Sequence, residues 1–304
     1  MRYCLSDLII LIIGYIRIAV NECPSLHLPQ RSIAMEELYS EDFRKKLESL
    51  AKEKAEEYLS NKPFPHIYVD NFLPLEAAEA ALQDFPEPKQ LAWSQFDNRQ
   101  ERKLAFAEVE KLPRRLRDVL YFLNSRPMLQ FLEVLTGIQN VISDPYFVGG
   151  GLHQIKRGGN LEVHADFNYH TQLKLDRRIN LLIYLNKDWK EEYGGHFELW
   201  NKEMTRAEQK ILPLFNRCAI FSTTSSSYHG HPTPLSCPPD RTRKSMAIYY
   251  YTNGRPEEEA SEVHSTLFQQ RPATEIQPPK HSVNSVLRAI TPPIILDAVK
   301  KIRN

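Results

Sequence analysis

Cysteine is scarce in this chain: four in 304 residues (Cys4, Cys23, Cys218, Cys237), with no Cys-x-x-Cys pair. They are too few and too scattered for a disulfide framework or a thiolate zinc site. Net charge is scarce too, since 39 Lys and Arg face 38 Asp and Glu and leave +1. A dedicated nucleic-acid binder carries a basic stripe and a charge-driven disordered chain a large imbalance, so both classes are excluded. The apolar run at residues 8–16, between Asp7 and Arg17, falls well short of the roughly 20 residues that span a bilayer. It has the length of a signal-peptide core, yet only Arg2 precedes it as a positive start and no small-x-small cleavage site follows. Residues 1–34 therefore read as an extension foreign to the fold, as a signal or anchor, or as an ordinary buried segment. Unless residues 1–20 act as a signal or anchor, the expected location is cytoplasmic, with no firm membrane association. Glycine is the last scarcity: there are 11, nine of them between Gly137 and Gly230. Backbone permissiveness is concentrated in one third of the chain.

What is present is ordinary for a soluble protein, 42% hydrophobic and 25% charged. The length suits one large domain or two small ones. Phe43, Leu47, Leu50, Ala51, Tyr58 and Leu59 recur at helical spacing and predict an amphipathic helix over 36–60. Pro63 and Pro65 end it, and His66–Phe72 alternates like a strand. A second helix is expected over Leu75–Phe85 and a third over 114–136, interrupted at Pro127. From about residue 146 the character changes to short β runs: Tyr146–Lys156, Leu161–Asp166, Ile179–Asn186, His196–Trp200, Cys218–Ser222 and Arg243–Thr252. Turn-rich clusters separate them, a density that indicates a sandwich, jelly roll or barrel. After Gly254 the chain turns acidic and then Pro-rich, and reads as a linker followed by a small helix near Ile294–Ile302. The expected divisions are 1–34, a helix over 35–64, a main domain over 65–255 and a tail over 256–304.

The strongest local signal is His164-Ala165-Asp166. Residues i and i+2 of a strand share one face, so imidazole and carboxylate can grip one ion. Alone the pair is weak. His229-Gly230-His231 follows the apolar run Cys218–Ser222 and offers a third ligand. Two histidines and one carboxylate form the facial set of non-haem Fe(II), with positions left open for substrate and oxygen. The same set also suits a catalytic zinc. Arg243 and Ser245 again share a strand face, and a guanidinium fork with a hydroxyl matches a carboxylate. A dicarboxylate co-substrate would chelate the metal at one end and meet Arg243 at the other. The plainer reading of Arg243 is a surface ion pair.

His164-x-Asp166, Tyr184-Leu185-Asn186 followed by Trp189 and Gly194-Gly195, then His229-Gly230 and Arg243-x-Ser245, resembles the 2-oxoglutarate/Fe(II)-dependent dioxygenases, in their prolyl 4-hydroxylase-like branch. The resemblance covers residues 65–255. It implies a mainly β fold with flanking helices, a double-stranded β-helix (distorted jelly roll) packed against N-terminal helices. It implies His164, Asp166 and His229 as catalytic iron ligands, Arg243 on the distal carboxylate of 2-oxoglutarate with Ser245 assisting, and Tyr184 hydrogen-bonded to that carboxylate. The implied cofactors are Fe(II), 2-oxoglutarate and O2, with ascorbate as a candidate reductant. The implied reaction hydroxylates an unactivated carbon with release of succinate and CO2, in a prolyl residue of a protein or peptide. A free amino acid or small biosynthetic intermediate is the rival substrate, and a catalytically silent jelly-roll binding domain or a zinc hydrolase the rival classes. No nucleic-acid partner is expected, and the oligomeric state stays open. One departure is the long interval from His229 to Arg243, where Pro232–Asp240 inserts a loop. Arg241 or Lys244 is therefore an alternative anchor, Lys244 last because strand parity points it away.

Other residues carry two readings each. His231 is an alternative to His229 as ligand, whereas His170 and His196 read as loop or surface histidines. Gly194-Gly195 reads as a tight turn rather than a phosphate loop, and Gly158-Gly159 as a turn or as a close approach to a substrate groove. Tyr249–Tyr251 are expected to alternate between core and surface. Arg177 and Arg178 either meet substrate or form a solvated strand end. Residues 93–110 and 165–177 are the expected walls of the substrate site.

Overall fold

Ser40 opens the first long helix: its hydroxyl accepts a hydrogen bond from the Phe43 N–H at 3.1 Å, with Glu41 and Asp42 complementing the dipole. This helix, α1 (Glu41–Ser60), buries Phe43, Leu47, Ala51 and Tyr58. The computed structural model describes residues 33–271. The apolar segment 8–16 and the helix expected at 294–302 lie outside the described residues.

After β1 (His66–Val69) and α2 (Leu75–Gln83) comes a hairpin of β2 (Ser94–Asp97) and β3 (Arg102–Phe106), strands the sequence patterning did not announce. The helix expected over 114–136 is two helices, α3 (Arg114–Leu123) and α4 (Arg126–Thr136). The break falls at Asn124–Ser125, not at Pro127. Pro127 sits in the first turn of α4, where a missing N–H costs nothing. No described helix is long and apolar enough to cross a membrane.

The remaining strands are β4 (Ile142–Ser143), β5 (Gly151–Lys156), β6 (Leu161–Ala165), β7 (Tyr169–His170), β8 (Leu175–Tyr184), β9 (Phe197–Trp200), β10 (Ala207–Ile211), β11 (Arg217–Ser222), β12 (His229–His231), β13 (Thr242–Thr252) and β14 (Leu267–Phe268). Two antiparallel sheets result. The larger runs β1-β11-β8-β13-β5-β3-β2, with β4 on β13 and β7 on β8; the smaller runs β10-β9-β12-β6-β14. This is the pair of facing sheets expected of a distorted jelly roll.

Alternation divides the larger sheet between two cores. Ile179, Leu181 and Ile183 of β8 and Met246, Ile248 and Tyr250 of β13 pack with the helices. Asn180 and Leu182, with Arg243, Ser245 and Tyr249, point instead into the space between the sheets. Tyr249, Tyr250 and Tyr251 are consequently all buried. The expected core-to-surface alternation fails because both faces of β13 are covered.

β5 begins at Gly151 rather than Tyr146. The Asp144 carboxylate accepts from the N–H groups of Tyr146 at 2.8 Å and Val148 at 2.7 Å, holding residues 144–150 as a turn. The segment past Gly254, expected to be a linker, docks instead. Leu267 and Phe268 pair with Ala165 and His164, and Asn168 Nδ2 donates to the Glu262 carbonyl at 2.8 Å.

Candidate metal and co-substrate site

Strand pairing sets His164 of β6 directly opposite His229 of β12. Asp166 follows the end of β6 on the face that His164 shares. The His164 Nε2 lies 3.5 Å from Asp166 Oδ1, and the His229 Nε2 3.3 Å from Asp166 Oδ2. One donor atom from each of the three lies within 4.8 Å of the others. Among the described residues this is the group of histidine, cysteine and acidic side chains with metal-binding geometry.

The backbone fixes which nitrogen each histidine offers. His164 Nδ1 is 2.8 Å from the Glu162 carbonyl and His229 Nδ1 is 2.9 Å from the Ser227 carbonyl. A carbonyl only accepts, so Nδ1 carries the proton and Nε2 presents its lone pair to the cavity. Burial and the neighbouring His229 lower the His164 pKa against the pull of Asp166, which favours this neutral form. Burial raises the Asp166 pKa, but Arg177 and the two histidines outweigh it and hold the carboxyl well below its ordinary range. Arg177 Nη2 donates to Asp166 Oδ2 at 2.9 Å and Asn180 Nδ2 to the same oxygen at 2.7 Å. Oδ1 is thereby left for an ion.

Arg177 is thus neither a solvated strand end nor a free substrate contact. It is 1% exposed and packs against two rings, its guanidinium carbon 3.4 Å from the Tyr249 ring centre and 4.4 Å from that of Phe167. Arg178 is buried too, donating to Glu259 and Thr252. The register of β13 on β8 slips between Tyr250 and Tyr251, so Arg178 is an extra residue in β8. That bulge puts Arg177 and Asn180, three apart, on the same carboxylate. Parity alone sets them on opposite faces, which is why the sequence did not announce the pair.

Arg243 and Ser245 line the same cavity as the three ligand candidates. Arg243 is buried, its Nε donating to the Gly195 carbonyl at 2.8 Å and its guanidinium lying 4.8 Å from the Tyr184 ring centre. Gly195 has φ +72°, and a Cβ there would stand 2.6 Å from Leu235 Cδ2 and 3.0 Å from Arg243 Cδ. The Gly194-Gly195 turn therefore makes room for the arginine. Tyr184 is fully buried against Arg243 and does not line the cavity. Ser245 and Tyr184 stand opposite each other across β13 and β8.

The alternative anchors point elsewhere. Arg241 Nη1 donates to the Lys187 carbonyl, and Lys244 Nζ to Thr242 Oγ1. The loop 232–240 is pinned by Leu235, which exchanges backbone hydrogen bonds with Gly158 and Gly159. The long interval before Arg243 therefore leaves the arginine in place. His231 is buried, lines the cavity and does not belong to the donor triad. His170, expected at the surface, is buried 3.4 Å from Asp144. His196 reaches Glu191 at 2.8 Å, away from the cavity. Sequence reasoning passed over Lys103, His153 and Asn180, which also line it, and Phe268, whose ring centre lies 5.5 Å from that of His164.

Residues 150–251 match the family model of the 2OG-Fe(II) oxygenase superfamily. The chain carries a 2-oxoglutarate/Fe(II) oxygenase domain. The fold agrees with a prolyl hydroxylase from Trichoplax adhaerens, solved in complex with a peptide fragment of the hypoxia inducible factor oxygen degradation domain. That likeness has 19% identity and a TM-score of 0.52, over 70% of this chain and 93% of that one. A Pseudomonas putida prolyl-4-hydroxylase matches at 13% identity and TM-score 0.47, over 67% and 99%. HygX from Streptomyces hygroscopicus, with nickel, 2-oxoglutarate and hygromycin B bound, matches at 10% and 0.44, over 66% and 92%. The oxygenase fold is the double-stranded β-helix. This oxygenase is a 2-oxoglutarate-dependent dioxygenase, and its cofactors are Fe(II) and 2-oxoglutarate.

Proposed function

We propose that the chain hydroxylates an unactivated carbon of a prolyl residue in a protein or peptide, with His164, Asp166 and His229 holding Fe(II) and Arg243 holding 2-oxoglutarate. One observation carries the site assignment: two Nε2 lone pairs, a carboxylate and a buried guanidinium face one cavity between the sheets. The donor chemistry fits ferrous iron, being two imidazoles and one carboxylate on one side of the ion. The buried Arg243 guanidinium, which has no carboxylate partner among the described residues, fits an anionic group there. A zinc hydrolase has no use for that arginine.

Bound iron with 2-oxoglutarate and O2 supplies the oxidation, coupling decarboxylation to hydroxylation. The protein does the rest. His164 and His229 present their Nε2 atoms because Glu162 and Ser227 hold their Nδ1 protons. Asp166 stays ionised and oriented because Arg177 and Asn180 share its second oxygen. Arg243 meets the distal carboxylate as a fork, with Ser245 and Tyr184 beside it. Ile155, Leu182, Phe197 and Phe221 give the cavity apolar walls that limit water around the reacting groups.

The prolyl reading is supported by the motif resemblance to the prolyl 4-hydroxylase-like branch and by the shared fold. Buried free thiols at Cys218 and Cys237 suit a cytoplasmic enzyme. The test is succinate release with Fe(II), 2-oxoglutarate and ascorbate against pools of proline-containing peptides and of amino acids and metabolites. Mass spectrometry then locates the added oxygen. Oxygen on a prolyl residue supports the reading; turnover with metabolites alone overturns the substrate assignment. Full activity in His164→Ala overturns the site.

A further inference from the structure

His231 is buried, yet neither ring nitrogen has a hydrogen-bond partner. Few buried polar side chains are left so, because burial removes water without replacing it. The ring lines the cavity that holds Arg243 and Ser245. His231 shares a strand face with His229, two residues before it, and both line this cavity. The partner strand β6 carries an extra residue opposite them, since His229 pairs with His164 and His231 with Leu161. Gly230 permits this, since a Cβ would stand 2.8 Å from the Leu161 carbonyl. His231 stands outside the donor triad and lines the cavity that the triad shares with Arg243.

The cavity offers His231 little within the protein. Its one carboxylate among the described residues, Asp166, is engaged by Arg177 and Asn180, and Lys103 is paired with Glu101 at 3.0 Å. A neutral imidazole has one N–H to give and needs an acceptor. We infer that His231 is a co-substrate-binding residue whose ring N–H donates to the distal carboxylate of 2-oxoglutarate, the group Arg243 holds. This rests on the reading of Arg243 as the 2-oxoglutarate anchor. It makes recognition of the carboxylate two-sided, with a charged fork from the larger sheet and a neutral donor from the smaller. Binding of the dicarboxylate would then tie the two sheets together across the cavity.

The test is calorimetric titration of the Mn(II)-loaded protein with 2-oxoglutarate and with 2-oxobutyrate, which lacks the distal carboxylate. His231→Leu weakens 2-oxoglutarate binding by about tenfold to a hundredfold, the range for a hydrogen bond to a charged group. It leaves 2-oxobutyrate and Mn(II) affinities unchanged, and His231→Gln, which restores an N–H, recovers most of the loss. Unchanged 2-oxoglutarate affinity overturns the inference, as do equal losses for both oxo acids or a loss of Mn(II). Arg243→Met separates the two readings. If it binds 2-oxoglutarate normally, the anchor assignment fails; if it loses binding while His231→Leu does not, only the role of His231 fails. Should His231→Leu not fold, histidine-labelled wild-type protein loaded with Zn(II) decides. The His231 ring N–H resonance shifts with 2-oxoglutarate and not with 2-oxobutyrate, and an unmoved resonance overturns the inference.

Discussion

Arg177 Nη2 donates to Asp166 Oδ2 at 2.9 Å, so a fully buried cation fixes which carboxylate oxygen faces the metal position. Asn180 holds the same oxygen from the other side of the bulge at Arg178. The arginine in turn packs against Phe167 and Tyr249. Such partners of a ligand orient it and tune its affinity for the ion. Arg177→Met is expected to weaken Mn(II) or Fe(II) binding by about tenfold to a hundredfold. Metal titration followed by electron paramagnetic resonance checks this. The variant also loses stability, because Asp166 is left as a buried charge without its cation.

Removing a ligand is more drastic. His229→Ala and Asp166→Ala each abolish 2-oxoglutarate turnover and specific Fe(II) binding. In the unmodified protein, dialysis against a chelator switches turnover off and Fe(II) add-back restores it. Turnover that survives the chelator sinks the metal assignment.

Gly195→Ala tests how Arg243 is seated. The added methyl meets Leu235 Cδ2 at 2.6 Å and Arg243 Cδ at 3.0 Å, on a backbone with φ +72°. The arginine is displaced while the triad, on other strands, is untouched. Steady-state kinetics should show the KM for 2-oxoglutarate rising about tenfold, the loss of one charge-assisted hydrogen bond, with metal affinity unchanged.

The metal-free protein should lose stability as pH falls. Burial lowers the pKa values of His66, His164 and His231 in the folded chain. The unfolded chain takes up those protons near pH 6.5, where the folded chain does not, so acid favours unfolding. Each histidine kept neutral costs about 1.4 kcal/mol per pH unit below 6.5. Asp166 acts in the same direction at lower pH, since its depressed pKa contributes stability above about pH 4 that is lost on acidification. Urea midpoints at pH 7.5 and 5.5 check the sign; a higher midpoint at 5.5 refutes it.

The motif residues are legible along the chain because each chemical role demands a residue type at a spacing that strand parity fixes. His164 with Asp166 and Arg243 with Ser245 are i, i+2 pairs on single strands, and short-range geometry is written in sequence. Parity also sets Lys244 aside, and it does point away from the cavity. Where parity is interrupted, reading along the chain fails. The bulge at Arg178 conceals Arg177 and Asn180 as joint partners of Asp166. The segment past Gly254 reads as a linker because the strand Leu267–Phe268 is two residues long and has no period of its own.

The sequence by itself determined the ligand types, the two-residue spacings that aim them, and the tight turn at Gly194-Gly195. Only the tertiary structure decided that His229 stands opposite His164, far away along the chain, that Arg243 rather than Arg241 enters the cavity, and which oxygen of Asp166 stays free. The physical reason is that pairing register and burial belong to contacts between distant strands. Their free energy depends on both sheets at once, so no local window of the chain contains it.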